Sequence, residues 1–354
     1  MPTPRTRPRP LRSLAALGAL ALAAPAAPAH AGTAPVPSEV RVADAPALER
    51  ALAEARPGQT ITLDSGEYAG SFVATTPGTS EAPITLTGPS DAVLVNDEPV
   101  YGSGCPAPDT HSSGYGLWIY GADHWNVRGL TVADSKKGIV VDRSDHVHLS
   151  DLQVRGTDDE GVHFRSSSSD GSVRDSRITD TGRVQPGFGE GVYLGSATSN
   201  WGCYGVDDGV DRSDRVEVTG NHIGPDVRGE HLDVKEGTRD GLVSGNTFDG
   251  RGISGQNFAD SWVDVKGNGY LFEHNTGTFE RPGVFAHGYT STQQVDGAGC
   301  GNVFRDNHSD LGGVGGFAIA LWSQSDCADE PNVVHASNTV TNATRGLTNI
   351  AVTP

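Results

Sequence analysis

A chain of 354 residues with 44 acidic and 26 basic side chains carries a formal charge of −18, and so acidic a surface argues against nucleic acid or an anionic membrane as partner. Its four cysteines are an even number, consistent with two disulfides in an oxidising compartment. No CxxC or Cys/His cluster suggests zinc.

At the start, Arg5, Arg7, Arg9 and Arg12 precede an Ala/Leu run from Leu14 to Ala24, and Ala29-His30-Ala31 has the small-x-small form of a cleavage site. That order predicts a secretory signal peptide over residues 1–31, of the general export type because no two Arg are adjacent. The mature chain, at a charge of −22 without those four Arg, is expected to be secreted, soluble and monomeric. No later stretch approaches the roughly 20 apolar residues that span a bilayer.

Residues 32–116 are expected to form an N-terminal cap and the first coils, and 117–354 the remaining coils of the same domain. Asp44 is placed as the N-cap of a helix over about 45–55, with Pro46 in its first turn and Leu48, Ala51 and Leu52 on one face. Such a helix would cover the open end of a stacked sheet. From Leu117 onward the strand openings align as Ile139-Val-Val141, Val162-His-Phe164, Val192-Tyr-Leu194, Leu232-Asp-Val234, Val263-Asp-Val265 and Val284-Phe-Ala286. Val127, Leu130 and Val132 recur as Leu149, Leu152 and Val154 at a constant offset of 22 residues. An apolar–x–x–Asn phrase returns at Asn221, Asn246 and Asn275, and again at Asn307 and Asn338, with Leu152 and Ser176 in the same slot upstream. Units that recur this way bury their faces only against their neighbours. The fold class is therefore all-β: a right-handed parallel β-helix with a short capping helix and a stacked Asn ladder at one corner.

Alternation along the strands sorts the side chains. The inward positions are plain core. One outward column reads Val140, His163, Tyr193, Asp233, Asp264, and another Asp142, Arg165, Gly195, Lys235, Lys266, His287. A third, two residues before each core opening, reads Glu160, Glu190, Glu230, Ser261. Stacked at about 4.8 Å, such carboxylates repel unless a cation or an ion-pair lattice compensates them. Calcium, which takes six to eight oxygens, would do so with ligands from Glu160, Glu190, Glu230, Asp233 and Asp264; a surface lattice of these groups with Lys235 and Lys266 is the other reading. The preferred disulfides are Cys105–Cys203, between two Gly-rich insertions, and Cys300–Cys327, one coil apart.

Ala55-Arg-Pro-Gly-Gln-Thr-Ile-Thr-Leu-Asp-Ser-Gly-Glu-Tyr68 followed by Gly78–Leu86 resembles the amino-terminal cap of pectate-lyase-superfamily β-helix proteins. Glu230-His-Leu-Asp233-Val-Lys235 and Val263-Asp-Val-Lys266 are similar in order to the chondroitinase-B/alginate-lyase family, and Asp158-Asp159-Glu160-Gly161 resembles the acidic calcium loop of pectate lyases. The resemblance implies calcium on Glu230 and Asp233, Lys235 as a base, and Lys266 standing where the family carries an Arg. It implies cleavage of an acidic, uronic-acid-containing polysaccharide by β-elimination, a reaction that needs the C5 proton removed beside a carboxylate whose charge is neutralised. Arg165 and Lys266 would assist Lys235, and His163, Tyr193 and His287 would bind substrate. A glycoside hydrolase using Asp158 or Asp159 with Asp233, a uronan epimerase using Tyr193 and His163, and a non-catalytic carbohydrate-binding or adhesive β-helix remain as alternatives.

Overall fold

The computed structural model describes residues 39–354 apart from 103, 110 and 207; the signal segment over 1–31 lies outside the described residues. The described residues fall within one compact unit, Val36–Pro354. Each coil contributes one strand to each of three sheets in turn, and every strand pair in the sheets is parallel. Among the described residues the sheets hold 12, 10 and 10 strands. Short strands cannot bury an apolar face alone, so successive coils stack and share one core. Parallel strands joined by crossovers take the right-handed path, and the chain is a right-handed parallel β-helix.

The helix Ala45–Ala53 begins where the cap residue predicts. Asp44 accepts a hydrogen bond from the Ala47 N–H at 2.8 Å, and Leu48, Ala51 and Leu52 are buried. They join the same core as Val42, Tyr68 and Phe72 at this end of the stack. Farther along, that core is filled by aromatic rungs, with Phe272 stacked on Phe304 at 4.8 Å and Tyr289 edge-on to both.

The Asn ladder forms between the first and second sheets and runs through five rungs. Asn221 donates its backbone N–H and its side-chain amide to Asn246 Oδ1, and the amide also donates to the Val173 carbonyl. The same bonds link Asn246 to Asn275, Asn275 to Asn307 and Asn307 to Asn338. Ser176 occupies the slot one coil earlier, its N–H donating to Asn221 Oδ1. An amide has both a donor and an acceptor, so each rung satisfies its neighbour without leaving a buried polar group unpaired.

The third sheet carries the site. Its strands include Tyr115–Tyr120, Lys137–Asp142, Val162–Arg165, Val192–Leu194, Leu232–Val234, Ser261–Val265, His287–Ser291 and Phe317–Leu321. The register pairs Val140 with His163, His163 with Tyr193, Tyr193 with Asp233 and Asp233 with Asp264, as the alternation predicts. The next strand differs. Tyr289, not Val284, lies opposite Val263, and His287 lies opposite Ser261. Val284 is 51% exposed, while Phe285 packs at the corner against Trp262 and Phe279. The alternating run Val284–Ala286 imitates a strand but belongs to the turn, because the larger Tyr289 ring fills the core position. His287 therefore leaves the Lys235–Lys266 column and continues the column of Glu230 and Ser261.

Both disulfides form as the sequence predicts: Cys105 is bonded to Cys203 and Cys300 to Cys327. They tie long loops that project beside the third sheet. Among the described residues no helix is long and apolar enough to cross a membrane.

Candidate active site

A cleft of about 1090 Å³ lies over the third sheet, its floor formed by outward side chains and its walls by the insertions. On one wall the turns Pro186–Phe188 and Gln256–Phe258 are joined by a hydrogen bond from Asn257 Nδ2 to the Gly187 carbonyl, 3.0 Å. On the other, the short helix Trp201–Tyr204 brings the Tyr204 ring over the Arg165 guanidinium at 4.3 Å. Strand alternation, the coil spacing and these insertions together converge most of the predicted site residues.

Arg165 forms one end of the floor and is 2% exposed. It binds Asp142 through Nε at 2.7 Å and a terminal nitrogen at 3.0 Å, and reaches the Tyr115 hydroxyl at 3.1 Å. Asp142 also accepts from the Trp118 indole at 2.8 Å. Burial would raise the Asp142 carboxyl, but Arg165 outweighs it and holds its pKa below the ordinary range. This pair is balanced in charge and closed by hydrogen bonds. Gly195 follows Arg165 in the column at φ +78, where an added Cβ would meet Thr238 at 2.5 Å, so a side chain would be both strained and crowded.

The centre holds the two predicted lysines around a shared carboxylate. Lys235 Nζ lies 2.6 Å from Asp233 Oδ2, and Lys266 Nζ lies 3.2 Å from Asp233 Oδ1 and also contacts Asp264. Burial opposes the Lys235 ammonium, yet Asp233 prevails and holds its pKa above the ordinary lysine value. The Tyr193 ring lies 5.1 Å from Lys235 Nζ. Burial, then the carboxylates of Asp233, Glu190 and Glu160, push the Tyr193 phenol well up. His163 packs edge-on against Tyr193 at 4.3 Å, with Nε2 2.8 Å from the Gly195 carbonyl and Nδ1 3.3 Å from Glu160. Burial lowers its pKa against the opposing pull of Glu160.

The five predicted metal-ligating carboxylates divide into two kinds. Glu160 is bound by Lys137, and Asp264 by Lys266. Glu190 and Glu230 form no ion pair among the described residues; with the lysine-bound Asp233 they present ligand oxygens within 4.8 Å of one another, and Glu190 Oε2 is buried with no hydrogen-bond partner. On the floor Glu160, Glu190, Glu230, Asp233 and Asp264 face three ammonium groups, Lys137, Lys235 and Lys266, an excess of two negative charges. Glu190 and Glu230 carry that excess. Burial pushes both up, with Glu160, Glu230 and Asp233 adding to the rise at Glu190, and Asp233 and Asp264 to that at Glu230, which reaches about 8. Two protons or one divalent ion would neutralise that excess, and the orphaned oxygen fits an oxygen-ligating cation.

Lys137 is not among the residues the sequence predicts, although its signal is present. The Glu160–Glu190–Glu230 column continued one coil back falls on residue 137, two before Ile139. Tyr204 and Glu236 carry no such signal. Tyr204 comes from an insertion outside the repeat, and Glu236, buried and accepting from the Thr198 N–H at 2.9 Å, follows the last alternating position. His287 lines the far part of the cleft, half-buried, its pKa lowered by burial and by Arg345.

The family model described as periplasmic copper-binding protein (NosD) matches residues 103–251. The oxygen-only trio here is unlike the imidazole and thiolate donors that favour copper. No curated protein sequence matches the chain. Among solved structures, an alginate lyase from Paenibacillus sp. str. FPU-7 is similar at 33% identity and a TM-score of 0.74, covering 88% of this chain and 98% of that one. A pectate lyase at 15% identity and TM-score 0.56 covers 83% and 72%. A surface adhesin of Streptococcus pneumoniae, at 13% and 0.55, covers 86% and 74%. The last two share the fold alone.

Proposed function

Because the chain belongs to the β-helix polysaccharide-lyase family of the Paenibacillus alginate lyase, we propose that it cleaves an acidic, uronic-acid-containing polysaccharide by β-elimination, with alginate the first polymer to test. The observation that carries this reading is the Lys235–Asp233–Lys266 bridge beside Tyr193 and the uncompensated pair Glu190 and Glu230, all on the floor of one open cleft.

Calcium held by Glu190, Glu230 and Asp233 would supply a positive centre that neutralises the substrate carboxylate and lowers the cost of charge developing on it as the C5 proton leaves. Lys235 is the base that takes the C5 proton. Asp233 keeps its amine protonated at rest, so the neutral form becomes accessible as pH rises; a cation held by Asp233 would weaken that hold. Lys266, bound to Asp233 and Asp264, stays cationic and pairs with the uronate carboxylate. Tyr193, whose phenol retains its proton in so anionic a site, is placed to donate it to the departing O4. The C5–H and C4–O bonds break, a C4–C5 double bond forms, and solvent carries the proton gained by Lys235 back to the Tyr193 phenolate, so both groups return to their starting state. His163 packs against Tyr193 and orients it, and Arg165, its charge matched by Asp142, braces the floor from beneath rather than touching substrate. Beyond about 8 Å, salt screens the remaining acidic surface from an incoming polyanion.

Ultraviolet absorbance of the unsaturated product on alginate, pectate and a glycosaminoglycan, with calcium or with EDTA, tests the reading. Product from at least one polymer, more with calcium, is expected. Absence of product from all of them would leave the non-catalytic carbohydrate-binding reading in its place.

A further inference from the structure

The column that holds Lys235 and Lys266 does not end there. Asp264 pairs with Thr290, and Thr290 with Ala320, so the register continued two residues carries Lys266 to Thr292 and Thr292 to Trp322. The Trp322 N–H donates to the Ser291 carbonyl at 3.2 Å, which fixes that register. Trp322 thus stands three strands beyond Lys235, about 14 Å along the cleft or about three pyranose rings.

Its surroundings differ from the catalytic centre. Thr290, Thr292 and Gln294 line the cleft between them without a charge. Trp118, Trp125 and Trp262 are buried at 1% or less, whereas Trp322 is 41% exposed on the cleft. Its ring is also braced. His287 meets it edge-on at 6.1 Å and stacks on Phe317 at 6.1 Å, and Arg345 lies over Phe317 at 5.7 Å. A single exposed aromatic on a convex surface needs no explanation. One that is braced on a cleft wall, in line with the reacting residues and beyond the uncharged Thr290 and Thr292, presents a flat apolar face to a polymer.

We infer that Trp322 is a remote sugar-stacking platform that makes the enzyme favour long chains, gripping a uronate ring about three units from the bond that breaks. The inference rests on the lyase reading of the same cleft and names the part of it that selects for length.

Alginate oligosaccharides from tri- to octasaccharide test it, with KM measured for wild type, Trp322→Ala and Trp322→Tyr. Trp322→Ala should raise KM for the octasaccharide roughly tenfold, with a several-fold smaller loss for the trisaccharide, and Trp322→Tyr should recover most of it. An equal loss at every length would overturn the proposal, as would none at any length. Tryptophan fluorescence titrated with the octasaccharide gives a readout independent of turnover. If wild type cleaves no uronate, the lyase reading fails, but a fluorescence change that vanishes in Trp322→Ala still supports the platform. No fluorescence change on any oligomer removes it.

Discussion

Two stacks in this β-helix share the same coil spacing, and they behave oppositely. At one corner Asn221, Asn246, Asn275, Asn307 and Asn338 lie one above another, each amide donating to the next. On the outer face of the third sheet Glu160, Glu190 and Glu230 lie one above another, and carboxylates can only accept. The amide stack closes on itself. The carboxylate stack cannot, and it recruits Lys137 at one end and leaves Glu190 and Glu230 with their charge uncompensated at the other. The repeat that builds a stable corner from amides therefore builds a cation- and substrate-seeking surface from acids.

The contrast is broken most severely at the shared bridge. Lys235→Ala should lower kcat/KM on alginate by on the order of 10²–10⁴, and the melting temperature should fall as well because the buried Asp233 loses its nearer ammonium, so activity is compared at a temperature where both proteins are folded. Near-normal formation of unsaturated product would remove Lys235 from the base role. Activity of wild type should climb into the alkaline range, because Asp233 holds the amine protonated below it.

Next in size is the pH response of the cation-free protein. The Glu230 carboxyl titrates near 8 in the fold against about 4.3 in the unfolded chain. Between those values the folded state binds the extra proton, so stability is full below the lower value and is lost as pH rises towards 8. Melting temperature in EDTA should fall across that interval, and calcium should flatten the curve. Equal slopes with and without calcium would count against a cation on this trio.

Smaller effects separate the two stacks directly. Asn246→Ala removes the acceptor of two Asn221 donors and the donor to Val218 and Asn275, and should cost about 3 kcal/mol in urea unfolding. Glu190→Gln should do the reverse in EDTA, stabilising by about 1 kcal/mol by removing one repelling charge, while calcium binding measured by calorimetry weakens. If Glu190→Gln destabilises the cation-free protein as Asn246→Ala does, the two stacks are alike and the argument for a cation falls.

Much of this is legible in the order of residues alone. The Asn phrase and the apolar alternation place the ladder and sort Tyr193, Asp233, Lys235, Asp264 and Lys266 onto one face, because period and parity are properties of the chain itself. Legibility stops where the repeat does. Alternation puts His287 five residues out of step, since the corner run Val284–Ala286 mimics a strand and only the packing of Tyr289 in the core corrects it. Tyr204, delivered by an insertion over Arg165, has no periodic signal at all.

By itself the sequence determined the coil, the ladder and most of the charges facing outward, because each depends on local alternation and on spacing along the chain. Only the tertiary structure decided how those charges pair: that Lys137 takes Glu160, that both central lysines share Asp233, and that Glu190 and Glu230 are left over. Pairing depends on distances of a few ångströms between coils and on burial, which sets whether a neighbouring charge is worth a fraction of a kcal/mol or several. Neither quantity is written in the order of residues.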